Sequence, residues 1–226
     1  MIVDTHVHSS YSEECSEDLS SPRLILKMAK KRGLDAVCIC DHDTTAGYRS
    51  ALKVRRPDDP LVIPGCEVST SRGHLLVIGL EQEWEKDIDP YGLVDEARSQ
   101  GAVVVAPHPF YMSTISVSWL SRELRLAVEA FNAMASILVY PNLAARKFAS
   151  KYNLPVTAGS DAHSFEIVGL GRTEFDGDDA DDLVSAILTG RTRIYGSRPP
   201  LGFSVKFALR SLKGLLYQSI HPKQET

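Results

Sequence analysis

The chain predicts a single α/β domain folded as a βα barrel of about seven strands, and three observations carry that prediction. Short apolar runs alternate with helix-like stretches over most of the length, which is the signature of βα units with helices packed outside a sheet. At 226 residues, 43% of them apolar, the chain can bury one full core. Polar motifs rich in histidine and carboxylate also follow several separate strands. A barrel collects such motifs in a ring at the carboxyl ends of its strands, whereas an open doubly wound sheet gathers ligands at one crevice.

The elements follow in order. Residues 2–4 read as a first strand, and Ser20-Ser21-Pro22 opens a helix with a cap residue and a first-turn proline, ended by Gly33. Residues 36–40 form a buried strand, 45–56 a helix, 61–70 a strand carrying one acid, and 73–80 another apolar strand beginning near His74. Residues 90–100 form a helix stopped by Gly101, and 102–106 a strand that delivers His108. Strands at 127–131, 156–158 and 192–195 alternate with helices at 142–152 and 181–189, and residues 203–219 form a terminal helix. Residues 1–200 are thus expected to be the barrel, and 201–226 a basic amphipathic helix packed on it or extending it.

Composition excludes little but points nowhere else. The net charge of −4 announces neither a nucleic-acid nor a membrane protein. The first residues carry no basic and apolar leader pattern, and no apolar run approaches the roughly 18 residues of a membrane span. A cytoplasmic location is expected, with no membrane and no obligate protein partner. Four cysteines, Cys15, Cys38, Cys40 and Cys66, include no Cys-x-x-Cys pair, so neither a disulfide framework nor a thiolate zinc knuckle is indicated. Cys38 and Cys40 share a strand face and read as small buried hydrophobes.

The histidines are distributed otherwise. His6 and His8 alternate on an extended strand, so both imidazoles point the same way. His42 stands beyond the strand that ends near Cys40, His74 and His108 sit beside later strands, and His163 follows Asp161; of the seven histidines only His221 lies outside such a context. Imidazole with carboxylate suits zinc, manganese, iron or nickel better than calcium. Six histidines with Glu67 and Asp161 exceed one metal's needs and imply two or three, with Glu67 a natural bridge. Paired cations suit the in-line displacement of phosphate esters, and the Gly-x-Ser-x-Gly and P-loop patterns of other chemistries are absent.

His6-x-His8, Asp41-His42, Glu67 within Gly-Cys-Glu-Val-Ser, Gly73-His74, His108-Pro109 and Gly-Ser-Asp161-Ala-His163 together resemble the ordered motif set of the PHP (polymerase and histidinol phosphatase) family. The resemblance spans about residues 1–196. It implies a distorted seven-stranded barrel with a trinuclear site for manganese, zinc or iron, acting on phosphoesters. By position, His6, His8, Glu67 and Asp161 would hold one cation, Glu67, His74 and His108 the second, and His42 with His163 the third. Nucleotide-cleaving members add an aspartate five residues after the second histidine; here Glu13 holds that position, with Glu14 as the alternative. Those members also carry a helical insertion that the short stretch between His74 and His108 lacks, implying a more open mouth.

The expected function is metal-dependent phosphoester hydrolysis in which a metal-bridging hydroxide attacks phosphorus, with Glu67, Asp161 and His163 the catalytic groups. Nucleotide monophosphoesters, nucleoside bisphosphates or short oligonucleotide ends are the expected substrates. A histidinol-phosphate-type phosphatase and a non-catalytic metal-stabilised binding module are the alternatives. An amidohydrolase also uses His-x-His in a barrel, but it requires a bridging lysine after a central strand and lacks the Asp41-His42 and Glu67 pattern. Asp4, Asp41 and Asp43 are expected to support ligating histidines or cap strand ends. Arg72 and Arg172 are candidate phosphate-binding residues, because guanidinium matches phosphate oxygens in pairs.

Overall fold

The computed structural model describes residues 1–111 and 115–203. Strand β1 (Ile2–Val7) leads through a short helix α1 (Glu17–Ser20) into α2 (Pro22–Lys31). Pro22 opens α2 with its φ already helical, and Pro22, Ile25, Leu26 and Ala29 recur on one buried face. Strand β2 (Ala36–Ile39), helix α3 (Ala46–Val54) and the long strand β3 (Leu61–Thr70) follow. Then come β4 (Gly73–Ile78), α4 (Pro90–Ser99), β5 (Val103–Ala106), α5 (Ile115–Leu124) and β6 (Ala127–Asn132). Helix α6 (Tyr140–Tyr152), β7 (Val156–Gly159), β8 (Gly171–Glu174), α7 (Ala180–Leu188) and β9 (Arg193–Gly196) complete the described chain.

The nine strands form one mixed sheet in the order β7-β6-β5-β4-β3-β2-β1-β8-β9. It curls until β7 lies against β1 and β8, giving a nearly closed barrel. At the seam Asp161 N donates to His6 O (2.8 Å), His8 N to Ala162 O (3.0 Å) and Thr5 Oγ1 to Ala158 O (3.1 Å). A Cβ on Gly171 would fall 2.0 Å from the Gly159 carbonyl oxygen, so only glycine permits this approach.

The expectation of about seven parallel strands is corrected. Two parallel trios, β1-β2-β3 and β5-β6-β7, are joined through β4, which is antiparallel to both neighbours. The reason is the connection: only Ser71 and Arg72 separate β3 from β4, far short of the dozen residues a parallel crossover needs. β8 and β9 add a second antiparallel pair beside β1. β8 and α5 had no counterpart among the predicted elements, and the predicted terminal helix at 203–219 lies almost wholly outside the described residues.

Packing explains which end is left for chemistry. Val3, Val103 and Ala127, near the starts of their strands, pack with Leu183 and Ile187 of α7, which fills the barrel from that end. Helices α2 and α3 cover β1 and β2, while α4 and α5 cover β3 to β5. Cys38 and Cys40 are buried in these layers, as the sequence implied, and Cys66 is buried with them. The histidines therefore gather at the opposite end, where β1, β2 and β7 finish.

Candidate metal centre

His6 near the end of β1 and His8 just beyond it are fully buried, and their Nε2 atoms lie 3.0 Å apart. Each ring is fixed through its other nitrogen. His6 Nδ1 is 3.1 Å from Glu129 Oε1, and His8 Nδ1 is 3.1 Å from Ser12 Oγ, whose own proton goes to Asp41 Oδ1 at 2.8 Å. A carboxylate or a committed hydroxyl accepts at these positions, so Nδ1 carries the proton and both Nε2 lone pairs converge. Two lone pairs at this distance repel unless a cation lies between them. The donor set thus fits a divalent metal ion.

The surrounding groups extend that convergence. Glu67, buried on β3, presents Oε2 to His6 Nε2 (3.2 Å), His8 Nε2 (3.1 Å) and His42 Nε2 (3.6 Å), and Oε1 to His74 Nδ1 (3.2 Å) and His108 Nε2 (3.4 Å). Asp161 Oδ1 lies 3.6, 3.4 and 3.5 Å from His6, His8 and His163. Three overlapping sets have ligand atoms close enough to share an ion: His6, His8 and Asp161; His42, Glu67 and His74; and His8, Glu14, His42 and His163.

The electrostatics follow from this crowding. Burial opposes a charge on His6, yet Asp161, Glu129 and Glu67 hold its imidazole well above the ordinary value. Burial likewise opposes ionising Glu67 and Asp161, and the histidines, His6 foremost, overcome it and keep both well below the usual carboxylate range. His108 and His163 are raised against the same burial, chiefly by Glu67 and Glu14 respectively. Protons and metal ions compete for one set of atoms.

Loops at the strand ends are held in unusual backbone conformations. Asp43, His108 and Asp161 have φ of 57°, 29° and 55°, a left-handed region disfavoured for side-chain-bearing residues. Asp43 accepts from Ser69 N (2.6 Å) and Ser69 Oγ (2.9 Å), and His108 N donates to Glu129 Oε2 at 2.9 Å. Asp4 accepts from Ser160 N (2.8 Å) and Gly169 N (2.6 Å), fixing the loop that carries Asp161; burial pushes its pKa up to about 6. Asp41 accepts from Ser9 N (2.6 Å), and a Cβ on Gly47 would meet its carboxylate at 1.9 Å. The three aspartates thus tie loops to strands; Asp41 reaches the His8 ring through Ser12, and Asp4 Oδ1 accepts from the His6 backbone N at 3.3 Å.

All six motif histidines, with Glu67 and Asp161, come together in the structure. Glu13 does not: its side chain is 92% exposed and, among the described residues, reaches only Lys86, at 3.9 Å. Glu14, the alternative, turns inward, with Oε1 2.7 Å from His42 Nε2 and 3.2 Å from His163 Nε2. Motif spacing singles out Glu13, but the turn after Ser12 aims the next carboxylate at the rings. Arg72 sits in the β3–β4 turn with its guanidinium over the Tyr91 ring at 5.4 Å. Arg172 lies on β8 with Nε donating to Gly169 O at 2.7 Å, on an outer groove rather than among the histidines. Cys15 is half-buried outside the cluster, and burial pushes its thiol up to about 12.

Glu129 and Asn132 escaped the sequence reading. Glu129 is fully buried, and Asn132 Nδ2 donates both to its Oε2 (2.9 Å) and to Asp161 Oδ2 (3.2 Å). The available signal was an acid in the middle of an apolar strand, a placement that is unfavourable unless a partner waits there.

Known proteins resemble this chain in sequence and in fold. The PHP domain model matches residues 4–133 and the PHP-associated model residues 139–192. Two uncharacterized proteins of Methanocaldococcus jannaschii are 33% identical over 183 residues (77% of this chain, 70% of the relative) and 30% identical over 155 residues (65% and 91%). A phosphoribosyl 1,2-cyclic phosphate 1,2-diphosphodiesterase of Eggerthella lenta is 35% identical over 88 residues, covering 36% of this chain and 32% of that protein. Among solved structures, PsfC of Pseudomonas syringae superposes with a TM-score of 0.68 at 22% identity, covering 93% of this chain and 98% of that one. The lesion-specific endonuclease Q of Pyrococcus furiosus does so with 0.60 at 20% identity, covering 89% and 60%. With the family model spanning more than half of its length, the chain belongs to the PHP domain family.

Proposed function

We propose that the chain hydrolyses phosphoesters of nucleotides, nucleoside bisphosphates or short oligonucleotide ends, using two or three manganese, zinc or iron ions held by His6, His8, Glu14, His42, Glu67, His74, His108, Asp161 and His163. One observation carries the reading: the two oxygens of Glu67 face different imidazole sets, the arrangement a carboxylate needs to serve neighbouring cations. Bound there, such ions supply Lewis acidity toward a phosphoryl group and acidify water. The Eggerthella lenta relative acts on a cyclic phosphate, and endonuclease Q has been captured with duplex DNA bearing an abasic lesion at its active site. Both point the substrate class toward phosphodiesters.

The chain's own groups divide the work. Glu67 already faces five imidazole nitrogens, so its task is to hold charge and geometry. Asp161 has Oδ1 directed at the histidines and Oδ2 steadied by Asn132, and we assign it to accept a proton from attacking water. His163, at the partly open rim beside Glu14, is assigned to the departing oxygen. The mouth lacks any long covering insertion between β4 and β5, which favours an extended substrate over an enclosed one.

The test is metal-stripped protein, reloaded in turn with manganese, zinc and iron, against mononucleotides, nucleoside bisphosphates, histidinol phosphate and short oligonucleotides carrying 5′- or 3′-phosphates. Metal-dependent release of phosphate or nucleotide is expected. Full metal occupancy with no phosphoester turned over would make the barrel a binding module.

A further inference from the structure

Outside the metal centre, the wall where β9 meets α6 has an unusual charge balance. The chain is net negative, yet Arg146, Arg172 and Arg198 line two adjoining grooves that share Arg146, the larger about 560 Å³. Arg146 lies over the Phe131 ring at 5.9 Å, Arg172 gives only Nε to a carbonyl, and Arg198 meets no carboxylate among the described residues. The acid lining these grooves, Glu174, is already paired with Arg193 at 2.8 Å. The grooves therefore carry cationic charge that nothing described neutralises.

Beside the cations stands a ledge of exposed apolar and aromatic side chains. After β6 the chain runs through a 3₁₀ turn into α6, leaving Leu138, Val139 and Leu143 exposed and Tyr140 71% exposed; Tyr195 is exposed on β9. The ledge is tied to the metal centre. Asn142, which lines the smaller groove, accepts from Asn132 N at 3.0 Å and donates to Asn132 O at 2.9 Å, and Asn132 holds Asp161. Ala133 N and Met134 N donate to Gly159 O and Ser160 O, so the ledge and the Asp161 loop share one framework.

We propose that these grooves bind single-stranded nucleic acid, its phosphates on Arg146, Arg172 and Arg198 and its bases against the ledge of Tyr140 and its apolar neighbours, leading one end of the strand toward the metal centre. Unpaired arginines in a groove with neighbouring aromatic faces are what a sequence-tolerant strand needs. A membrane surface fits poorly, because the cations lie in a concavity. An acidic peptide would satisfy the charge, but the connection to a phosphoester site favours a phosphate backbone; in this the proposal rests on the function proposed above.

Binding is measured without turnover, by anisotropy of a fluorescein-labelled ten-nucleotide single strand on metal-stripped protein over a range of salt. Arg146→Gln with Arg198→Gln should weaken binding at least ~10-fold. It should also flatten the slope of log affinity against log salt by roughly 1.4, two contacts at about 0.7 each. Tyr140→Ala should weaken binding several-fold with the slope kept. Lys27→Gln with Arg56→Gln, which removes equal charge from a separate groove beside α2, should change neither. Thermal melting of each variant reports folding. Absent strand binding by wild type, unchanged binding in the arginine variant, or an equal loss in the α2 control would each overturn the proposal. Hydrolysis of a small phosphoester by wild type, run in parallel, judges the proposed function separately.

Discussion

The inner and outer halves of the candidate metal centre are built differently. The inner half, His6, His8, Glu67 and Asp161, is buried, and three of its four side chains are braced from outside the cluster: His6 by Glu129, His8 by Ser12 and Asp41, Asp161 by Asn132. The outer half, Glu14, His42, His74 and His163, has side chains 42%, 22%, 42% and 25% exposed. Bracing lowers the ordering entropy that remains to be lost when an ion binds. The inner pair of carboxylates should therefore hold its ion tightly, while the rim holds one more weakly and can adjust to substrate.

The strongest challenge to that contrast is Glu67→Gln, which removes the charge facing both halves. It should keep most of the fold, lower metal content and reduce turnover by about 10³-fold; wild-type metal content and rate would refute its bridging role. Next is Glu129→Gln, which touches only the bracing. It should weaken the tightest metal site by roughly 10–100-fold in a chelator competition. An unchanged affinity would show that the brace is only structural.

At the rim, Glu14→Ala should weaken the most loosely held ion by about 10-fold and leave the tight site alone, whereas Glu13→Ala should change neither. The reverse pattern in metal titrations would restore Glu13. The smallest effect lies far from the ions, at Asp59, whose hydrogen bond from Arg23 overcomes burial and holds its pKa at about 2. Because this folded-state value lies below the ordinary carboxylate value of about 3.9, the pair stabilises the fold above that pH and loses its effect as pH falls through about 2. Asp59→Asn should cost about 1 kcal/mol in denaturant unfolding at neutral pH, a difference that disappears in strong acid.

What could be read from the sequence divides along similar lines. The βα alternation, the Pro22 and Gly33 limits of α2 and the alternation of His6 with His8 all depend on near neighbours in the chain, and they appear as expected. The antiparallel course of β4 was hidden because an apolar run looks the same in either direction; Ser71 and Arg72 were the clue. β8, Gly-Arg-Thr-Glu, has almost no apolar pattern and exists because β1 and β9 flank it. Glu129 was invisible for a different reason: its partners His6 and His108 lie 123 and 21 residues away, and only the closed barrel brings them to one point.

The seam has a consequence for the order of events in folding. Asp4 holds the Ser160 amide across 156 residues, and the His6 carbonyl receives Asp161 N from nearly as far. Contacts of such separation carry a large loop-closure entropy and form slowly. The inner ion site therefore cannot exist in a nascent chain until Asp161 has emerged and the two ends of the barrel have met. Metal uptake then comes as a final latch, one that leaves the rate of folding nearly untouched and mainly retards reopening of the seam.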